Sequence, residues 1–162
     1  MKILITGAAG FIGFNFSKFL LEKTKFNIIG VDNLNTYYSV KVKQERLKLL
    51  NKSRRFKFVK LDLTNKSRLE KIFKNKIYAV FNFAAQAGVR YSIKNPRAYI
   101  ESNTLGFFNV IELSIKNNIK KIFYASSSSV YGDSKKFPLS EIDPISPKNI
   151  YGLTKKNNEE IC

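Results

Sequence analysis

The sequence predicts a doubly wound α/β fold, in which helices cover both faces of a parallel β-sheet. Two observations predict it. Strand-like and helix-like segments alternate strictly along the chain, as expected for strands joined by right-handed helical crossovers. The strand-like segments are short and apolar on both faces, which is typical of strands buried between two helical layers. A chain of 162 residues suits a single domain, so we expect residues 1–162 to form one.

The predicted elements follow from runs rich in Ile, Val and Phe and from the amphipathic stretches between them. Strands are predicted at 2–6, 26–31, 56–61, 78–83 and 120–126, and helices at 11–23, 39–51, 66–75, 96–118 and from about 149. Pro96 suits a first helical turn, and Asn65 or Ser67 can cap the third helix. Residues 132–149 contain three prolines and are predicted to form a surface loop.

Composition excludes several classes of protein. The chain has no His and a single cysteine, Cys162, which excludes an intramolecular disulfide and His-based triads and leads us to expect no metal. No run of about 18 apolar residues occurs, so we expect neither a membrane span nor a membrane partner. The N-terminus does not fit a signal peptide, and a cytoplasmic protein is expected.

The net charge of +17 raises the question of a nucleic-acid partner. The lysines are spread along the chain, the only dense basic cluster is residues 51–55, and no known nucleic-acid-binding motif is present. A bias toward Lys, Asn, Ile, Phe and Tyr explains the charge more simply, so we expect no nucleic-acid partner.

A glycine-rich turn follows the first strand. It reads TGAAGFIG, with Gly7, Gly10 and Gly13 at the mouth of a helix. Glycines let a backbone approach a pyrophosphate closely, and the helix N-terminus offers free N–H groups to it. Because both the preceding strand and the following helix are predicted, this turn indicates a dinucleotide site.

Two aspartates follow the next two strands. Asp32 stands where a carboxylate binds the adenosine ribose hydroxyls and repels a 2′-phosphate, so NAD is favoured over NADP. Asp62 and Leu63, after the third strand, are predicted to flank the adenine, although an aspartate is also common at strand ends for reasons of turn chemistry.

Hydroxyl groups follow the fifth strand, in ASSSSVYG at 125–132, where ligands bind in such folds. Tyr151 and Lys155 come next, spaced so that both lie on one face of a helix. A tyrosine is a poor base at neutral pH, but a neighbouring ammonium stabilises its phenolate. This pair is therefore a candidate for proton transfer.

Taken together, TGAAGFIG, DNLN, SSSSVYG and YGLTK resemble the extended short-chain dehydrogenase/reductases that act on nucleotide sugars, which have a Rossmann-type fold. The stretches VDNLNTYYSVKVKQERLKLL and AAQAGVRYSIKNPRAYIESNTLGFFNVIE closely resemble the UDP-glucuronate 4-epimerases, within the NAD-dependent epimerase/dehydratase family. The resemblance covers all 162 residues.

The resemblance implies a C4 inversion of UDP-glucuronate by transient hydride transfer to NAD through a 4-keto intermediate. Tyr151 would be the base, Lys155 would hold the nicotinamide ribose, and Ser127 would relay hydrogen bonds to the 4-oxygen. Ser127, Ser128, Ser129 and Arg90 would contact the substrate. With Tyr151 and Lys155, the implied cofactor residues are Gly7, Gly10, Phe11, Ile12, Gly13, Asp32, Asn33, Asp62, Leu63, Phe83, Ala84, Ala85 and Asn103.

The sequence departs from the family in two respects. Asn82 stands where relatives often have His. Family members also continue through further strands and a C-terminal substrate domain, so this chain is predicted to be a truncated NAD-binding domain, marginally stable and inactive alone. The resemblance further implies a homodimer of the full-length protein, formed through helices 96–118 and 149–162.

Other functions remain open. A UDP-glucose 4-epimerase, a UDP-glucuronate decarboxylase and a dTDP-glucose 4,6-dehydratase share this scaffold. Dehydratases typically carry an acidic pair after the catalytic Thr, whereas Ser128 and Ser129 follow Ser127 here. A non-catalytic NAD-binding fragment is the alternative from another class.

Overall fold

The computed structural model describes all 162 residues and contains one five-stranded parallel sheet. Its strands lie in the order β3-β2-β1-β4-β5. They are β1 (Lys2–Thr6), β2 (Asn27–Asp32), β3 (Phe56–Lys60), β4 (Ile77–Asn82) and β5 (Ile122–Tyr124).

The helices alternate with these strands. They are α1 (Phe11–Lys23), α2 (Val40–Leu50), α3 (Lys66–Phe73), α4 (Val89–Lys94), α5 (Pro96–Tyr99), α6 (Gly106–Lys116) and α7 (Ile150–Ile161). A π-helical segment, Ile100–Leu105, joins α5 to α6, and a 3-10 turn, Ser128–Tyr131, follows β5.

This strand order confirms the predicted doubly wound fold. From β1 the chain proceeds outward to β2 and β3, then returns to place β4 on the other side of β1. The strand order therefore reverses between β1 and β4, and the carboxyl ends of these two strands flank a crevice. In folds of this type ligands bind at that crevice.

Two apolar clusters cover the two faces of the sheet, and alternation along β1 divides its side chains between them. Leu4 belongs to the cluster that includes residues of α3 and α6, whereas Ile3 and Ile5 belong to the cluster that includes residues of α1 and α2. Since β1 is central, its residues 3–6 are at most 3% exposed. Burial of apolar surface on both faces fixes the strand register and holds the carboxyl ends of the strands in place.

Local capping explains several helix boundaries. The Asn65 side chain accepts a hydrogen bond from Arg68 N–H at 3.1 Å, which confirms the predicted cap of α3. Pro96 occupies the first turn of α5, as predicted, after the capping residue Asn95. Arg55 donates to the carbonyl of Leu21, in the last turn of α1, and to those of Thr24 (2.6 Å) and Phe26 (3.2 Å), just after that helix.

The structure corrects the predicted elements in three places. β5 spans three residues rather than 120–126, because only Ile122–Tyr124 pair with β4 and the exposed Lys120 and Lys121 precede them. The single helix predicted over 96–118 consists of α5, the π-helical segment and α6 in succession. α4 and the 3-10 turn were not predicted, because neither is long enough to show a clear apolar period.

Candidate active site

The glycine-rich turn packs so closely that side chains are excluded. Gly7 has φ +67°, in the left-handed region, and a Cβ there would lie 2.7 Å from the Ala84 nitrogen. A Cβ on Gly13 would lie 2.2 Å from the Gly7 carbonyl oxygen. These glycines bring β1, the start of α1 and the residues after β4 into direct contact, so a ligand reaches the backbone itself.

The first turn of α1 offers unpaired N–H groups. The first bond of the helix runs from Phe14 N–H to the Gly10 carbonyl at 3.0 Å, so the N–H groups of Phe11, Ile12 and Gly13 have no protein acceptor. No side chain caps this end, and no acidic residue lies in its first turn. A free, uncapped helix N-terminus next to three glycines is suited to a pyrophosphate.

Asp32 lies at the end of β2 and is 8% exposed. One carboxylate oxygen accepts a hydrogen bond from Ala9 N–H at 3.1 Å, and the other accepts one from Leu34 N–H at 2.8 Å. These two bonds fix the carboxylate between the glycine turn and the loop after β2. Each oxygen retains a lone pair for a ribose hydroxyl.

A cavity of about 270 Å³ opens at the carboxyl ends of the strands. Nine of the predicted cofactor residues line it, namely Gly7, Gly10, Asp32, Asn33, Asp62, Leu63, Phe83, Ala84 and Ala85. Since these residues come from the segments after four different strands, the topology alone brings them together.

Asp62 is held in its ionised form. Burial raises the pKa of its carboxyl group, but hydrogen bonds from Asn33 Nδ2, at 2.8 Å, and from Thr64 outweigh this effect, so the pKa lies below its ordinary value. The link between Asn33 and Asp62 connects the loops after β2 and β3 at the rim of the cavity.

Lys43 is a cavity residue that the sequence did not predict. Its side chain is 4% exposed, and its Nζ donates to the Asn35 carbonyl at 2.9 Å and to the Asn35 side chain at 2.8 Å. Burial lowers its pKa, opposed by the charge of Asp32. Its place on the buried face of α2, in register with Leu47 and Leu50, is the signal that identifies it in retrospect.

The serines after β5 form the 3-10 turn. The Ser127 side-chain oxygen accepts a hydrogen bond from Ser129 N–H at 3.2 Å and so caps this turn. Ser128 is exposed and Ser129 is partly buried. The turn therefore presents successive hydroxyl groups at the carboxyl edge of the sheet.

Lys155 and Tyr151 lie together at the start of α7. Lys155 is 4% exposed, its Nζ donates to the Ala125 carbonyl at 2.9 Å, and it lies 6.0 Å from the centre of the Tyr151 ring. Burial lowers the pKa of Lys155 to about 8, so at neutral pH the group remains mainly charged. The edge of Tyr99 packs against the Tyr151 ring at 6.1 Å between centroids.

A glycine sets the distance between α7 and the 3-10 turn. A Cβ on Gly152 would lie 2.5 Å from the Ser129 carbonyl oxygen, so only a glycine permits this approach. The Asn149 side chain accepts a hydrogen bond from Gly152 N–H at 2.8 Å and fixes the first turn of α7. The sequence did not single out Gly152, although it lies inside the YGLTK motif.

Asn103 is 1% exposed, in the π-helical segment. Its side-chain oxygen accepts from Gln86 N–H at 2.7 Å, and its amide donates to the Gln86 carbonyl at 3.0 Å and to Thr154 Oγ1 at 3.1 Å. Asn103 thus ties the segment after β4 to α7. These hydrogen bonds therefore link the cavity, which Gln86 lines, to the helix that carries Tyr151 and Lys155.

Arg90 and Asn82 do not line the cavity. Arg90, in α4, is exposed and belongs to no ion pair. Asn82 is buried and accepts a hydrogen bond from Thr6 Oγ1 at 2.6 Å, so it contacts the central strand instead of the cavity.

The chain contains no group of three or more His, Cys, Asp or Glu side chains suited to a metal ion. None of its helices combines the length and the apolar composition that crossing a bilayer requires.

This fold and the lining of its cavity define a dinucleotide-binding domain of the short-chain dehydrogenase/reductase type. The Tyr-x-x-x-Lys pair lies on α7, which Asn103 links to the cavity residue Gln86. The sequence profile of the GDP-mannose 4,6 dehydratase family matches residues 4–162, and the chain belongs to that family.

Relatives agree with this assignment. Protein CapI of Staphylococcus aureus is 51% identical over 161 residues, which cover 98% of this chain and 48% of that protein. A UDP-glucuronate 4-epimerase of Thermodesulfobacterium geofontis is 46% identical over 160 residues, covering 96% of this chain and 48% of its own. The chain spans about half the length of these relatives.

Solved structures match over the whole chain. UDP-glucuronic acid 4-epimerase from Bacillus cereus, in complex with UDP-glucuronic acid and NAD, has a TM-score of 0.93 and 33% identity, covering 100% of this chain and 51% of that one. The UDP-Glc/GlcNAc 4-epimerase from Campylobacter jejuni has a TM-score of 0.88 and 34% identity, covering 99% and 47%.

Proposed function

We propose that this chain is the NAD-binding part of a nucleotide-sugar 4-epimerase that acts on UDP-glucuronate. Two relatives that bear this activity in their names, from Thermodesulfobacterium geofontis and Bacillus cereus, support the substrate and the reaction. Because the chain spans about half of their length, the activity is proposed for the whole protein to which such a chain contributes.

The residues present fit NAD. The glycine cradle that a Cβ would fill and the unpaired N–H groups of α1 suit the pyrophosphate, and the buried Asp32 carboxylate suits the adenosine ribose. Asp62 and Leu63 line the same cavity, where they would flank the adenine. Bound there, NAD would supply a reversible hydride acceptor for the C4 of the sugar.

The observation that carries the proposal is the pair on α7. Tyr151 is the base that takes the proton of the sugar 4-hydroxyl, and the buried Lys155 ammonium lies next to its ring. Lys155 is oriented by its bond to the Ala125 carbonyl, so that its charge stays beside the Tyr151 ring. Ser127 Oγ donates a hydrogen bond to the sugar 4-oxygen, while its lone pair accepts from Ser129 N–H.

The uronate carboxylate is the finer part of the proposal. Ser128 and Ser129 carry the hydroxyls next to Ser127, and the exposed Arg90 guanidinium is free to pair with a carboxylate. No carboxylate side chain lies in Ser127–Tyr131, which favours an epimerase over a dehydratase that needs an acidic pair there. UDP-glucose is the competing substrate, because the Campylobacter jejuni relative acts on UDP-Glc/GlcNAc.

We further propose that the chain alone binds NAD without interconverting sugars. Catalysis requires the sugar C4 to be held against the nicotinamide, and the relatives have as many residues again with which to hold it. The full-length protein is proposed to be a homodimer. Exposed apolar side chains on the helices predicted to pair support this, namely Ile100, Leu105, Phe108, Ile115 and Leu153.

The proposal is tested with the purified 162-residue chain. NAD binding is measured by calorimetry, and UDP-glucuronate, UDP-glucose and UDP-N-acetylglucosamine are each incubated with the chain and NAD and analysed by chromatography. We expect NAD to bind with a dissociation constant in the micromolar range and no sugar to be converted. Failure to bind NAD contradicts the proposed function. Conversion of UDP-glucuronate that disappears in Tyr151→Phe contradicts only the proposed inactivity of the isolated chain.

A further inference from the structure

The basic residues concentrate at the edge of the sheet where the strands begin. We call the segments that lead into the five strands the amino edge, namely 1–2, 24–26, 51–55, 74–76 and 117–121. Nine of these 18 residues are Lys or Arg, and none is Asp or Glu. The lysines of these segments are all exposed.

Compositional bias does not explain this concentration. The segments that follow the strands, 7–10, 33–39, 61–65, 83–88 and 125–149, form the opposite edge. They contain three lysines and four acidic residues. A bias in amino-acid usage affects both sets of loops alike, yet one edge is strongly cationic and the other is close to neutral. The asymmetry belongs to the fold.

Stabilisation of helix C-termini does not explain the concentration of basic residues at the amino edge either. Helix C-termini point to the amino edge, where cations stabilise them. Four helices that end there already carry a basic residue in their own last turn, namely Lys23, Lys48, Lys71 and Lys116. Of the amino-edge cations, only Arg55 binds helix-end carbonyls. None takes part in the six ion pairs of the chain, so no carboxylate neutralises these cations by direct contact; Glu70 interacts with Lys74 only at longer range.

We propose that the amino edge is a docking surface for an anionic phospholipid bilayer. Neighbouring strands lie about 4.8 Å apart, so the charges of the five segments extend over roughly 20 Å, enough to face several lipid headgroups. Each Lys or Arg near an anionic bilayer adds favourable electrostatic energy. The cofactor crevice, at the other edge of the sheet, then faces away from the bilayer and stays open.

A single-stranded nucleic acid fits this surface less well. Single-stranded chains bind where aromatic rings are free to stack on bases. The aromatic rings near this edge are already engaged: Phe26 and Tyr78 stack on each other with centroids 6.2 Å apart, and Lys121 lies over Tyr78. The absence of a spanning run, on which we based the expectation of no membrane partner, does not bear on a peripheral contact of this kind.

The test is cosedimentation of the 162-residue chain with vesicles. One set contains 30 mol% phosphatidylglycerol in phosphatidylcholine, and the other contains phosphatidylcholine alone. The amino-edge variant carries Lys25→Gln, Lys74→Gln and Lys120→Gln. The control variant loses the same charge from outside the amino edge, through Lys94→Gln in α4 and Lys135→Gln and Lys148→Gln in the opposite edge. The two edges are separated by the length of a strand, and a five-residue strand such as β1 spans about 16 Å. This is twice the Debye length of about 8 Å at physiological salt, so charges at the opposite edge are largely screened from a bilayer at the amino edge.

We expect binding to anionic vesicles that weakens as salt is added, and none to neutral ones. The amino-edge variant is expected to lose roughly a hundredfold in partition coefficient, at about fivefold per lysine, whereas the control loses less than about fivefold. Unchanged NAD affinity in both variants verifies their folding. The proposal is overturned if the wild type ignores anionic vesicles, if both variants lose binding equally, or if a DNA duplex binds at the amino edge and vesicles do not.

Discussion

Replacing Lys155 with Met measures how much the burial of this charged lysine lowers the free energy of unfolding. Lys155 is 4% exposed, and burial lowers its pKa from 10.5 to about 8. That fall corresponds to about 3 kcal/mol, at about 1.4 kcal/mol for each pH unit. Met has a similar length and no charge. We therefore expect Lys155→Met to be more stable than the wild type at pH 7, by up to about 3 kcal/mol less the lost bond to Ala125.

The pH dependence gives this reasoning a definite sign. Below pH 8 Lys155 is protonated in both the folded and the unfolded chain, so the full burial cost is present. Between pH 8 and 10.5 the unfolded chain binds a proton that the folded chain releases. The free energy of unfolding of the wild type therefore rises with pH through this window, relative to a variant without the group.

The assay is urea denaturation of the wild type, Lys155→Met and the exposed control Lys94→Met at pH 7.0 and 9.5. Other groups that titrate in this range are common to all three proteins, so only differences between proteins are interpreted. The stability advantage of Lys155→Met is expected to shrink at pH 9.5, while Lys94→Met stays within about 0.5 kcal/mol of the wild type at both pH values. An advantage that is independent of pH, or a variant less stable by more than about 2 kcal/mol at pH 7, refutes the argument.

Three further substitutions test the packing of the site. Gly7→Ala places alanine at a left-handed φ and creates a backbone clash, so the free energy of unfolding should fall by about 2–4 kcal/mol. The matched helical change Gly106→Ala should lower it by no more than about 1 kcal/mol. Equal losses for the two variants in a urea titration contradict this. Asn103→Ala leaves buried polar groups unpaired, so the free energy of unfolding should fall by about 2–4 kcal/mol in the same assay. A loss below about 1 kcal/mol argues against a stabilising link between the segment after β4 and α7. Gly152→Ala should lower the free energy of unfolding by about 1–3 kcal/mol despite the better helix propensity of Ala, because the added Cβ clashes with the Ser129 carbonyl. A variant more stable than the wild type would show that α7 can move away from this carbonyl.

The fold and most of the cofactor crevice were predictable because their signals are local. The glycine turn, the aspartate at the end of β2 and the apolar strands each occupy a short stretch of sequence, and parallel topology then brings the strand ends together. Gly7 and Asp32 line the same cavity for this reason. Asn65 capped α3 as predicted, because a cap depends on residues only three apart.

Other features depended on contacts between distant segments. Lys43 is a charged residue on an amphipathic helix, and only the packing of α2 against the loop after β2 buries it. Gly152 matters because the Ser129 carbonyl lies beside it, 23 positions earlier in the chain. β5 is short because only Ile122–Tyr124 pair with β4, and composition does not reveal the pairing of strands that are far apart in the chain.

The central claim, that the crevice between β1 and β4 is an NAD site whose specificity comes from Asp32, is tested most directly by calorimetric titration of the chain with NAD and with NADP. The Asp32 carboxylate is 8% exposed and repels a 2′-phosphate, so NADP should bind at least about a hundredfold more weakly than NAD. Asp32→Asn, which keeps an acceptor for Ala9 or Leu34, should narrow this preference to less than about tenfold. Equal affinity of the wild type for both dinucleotides, or binding of neither, contradicts the claim.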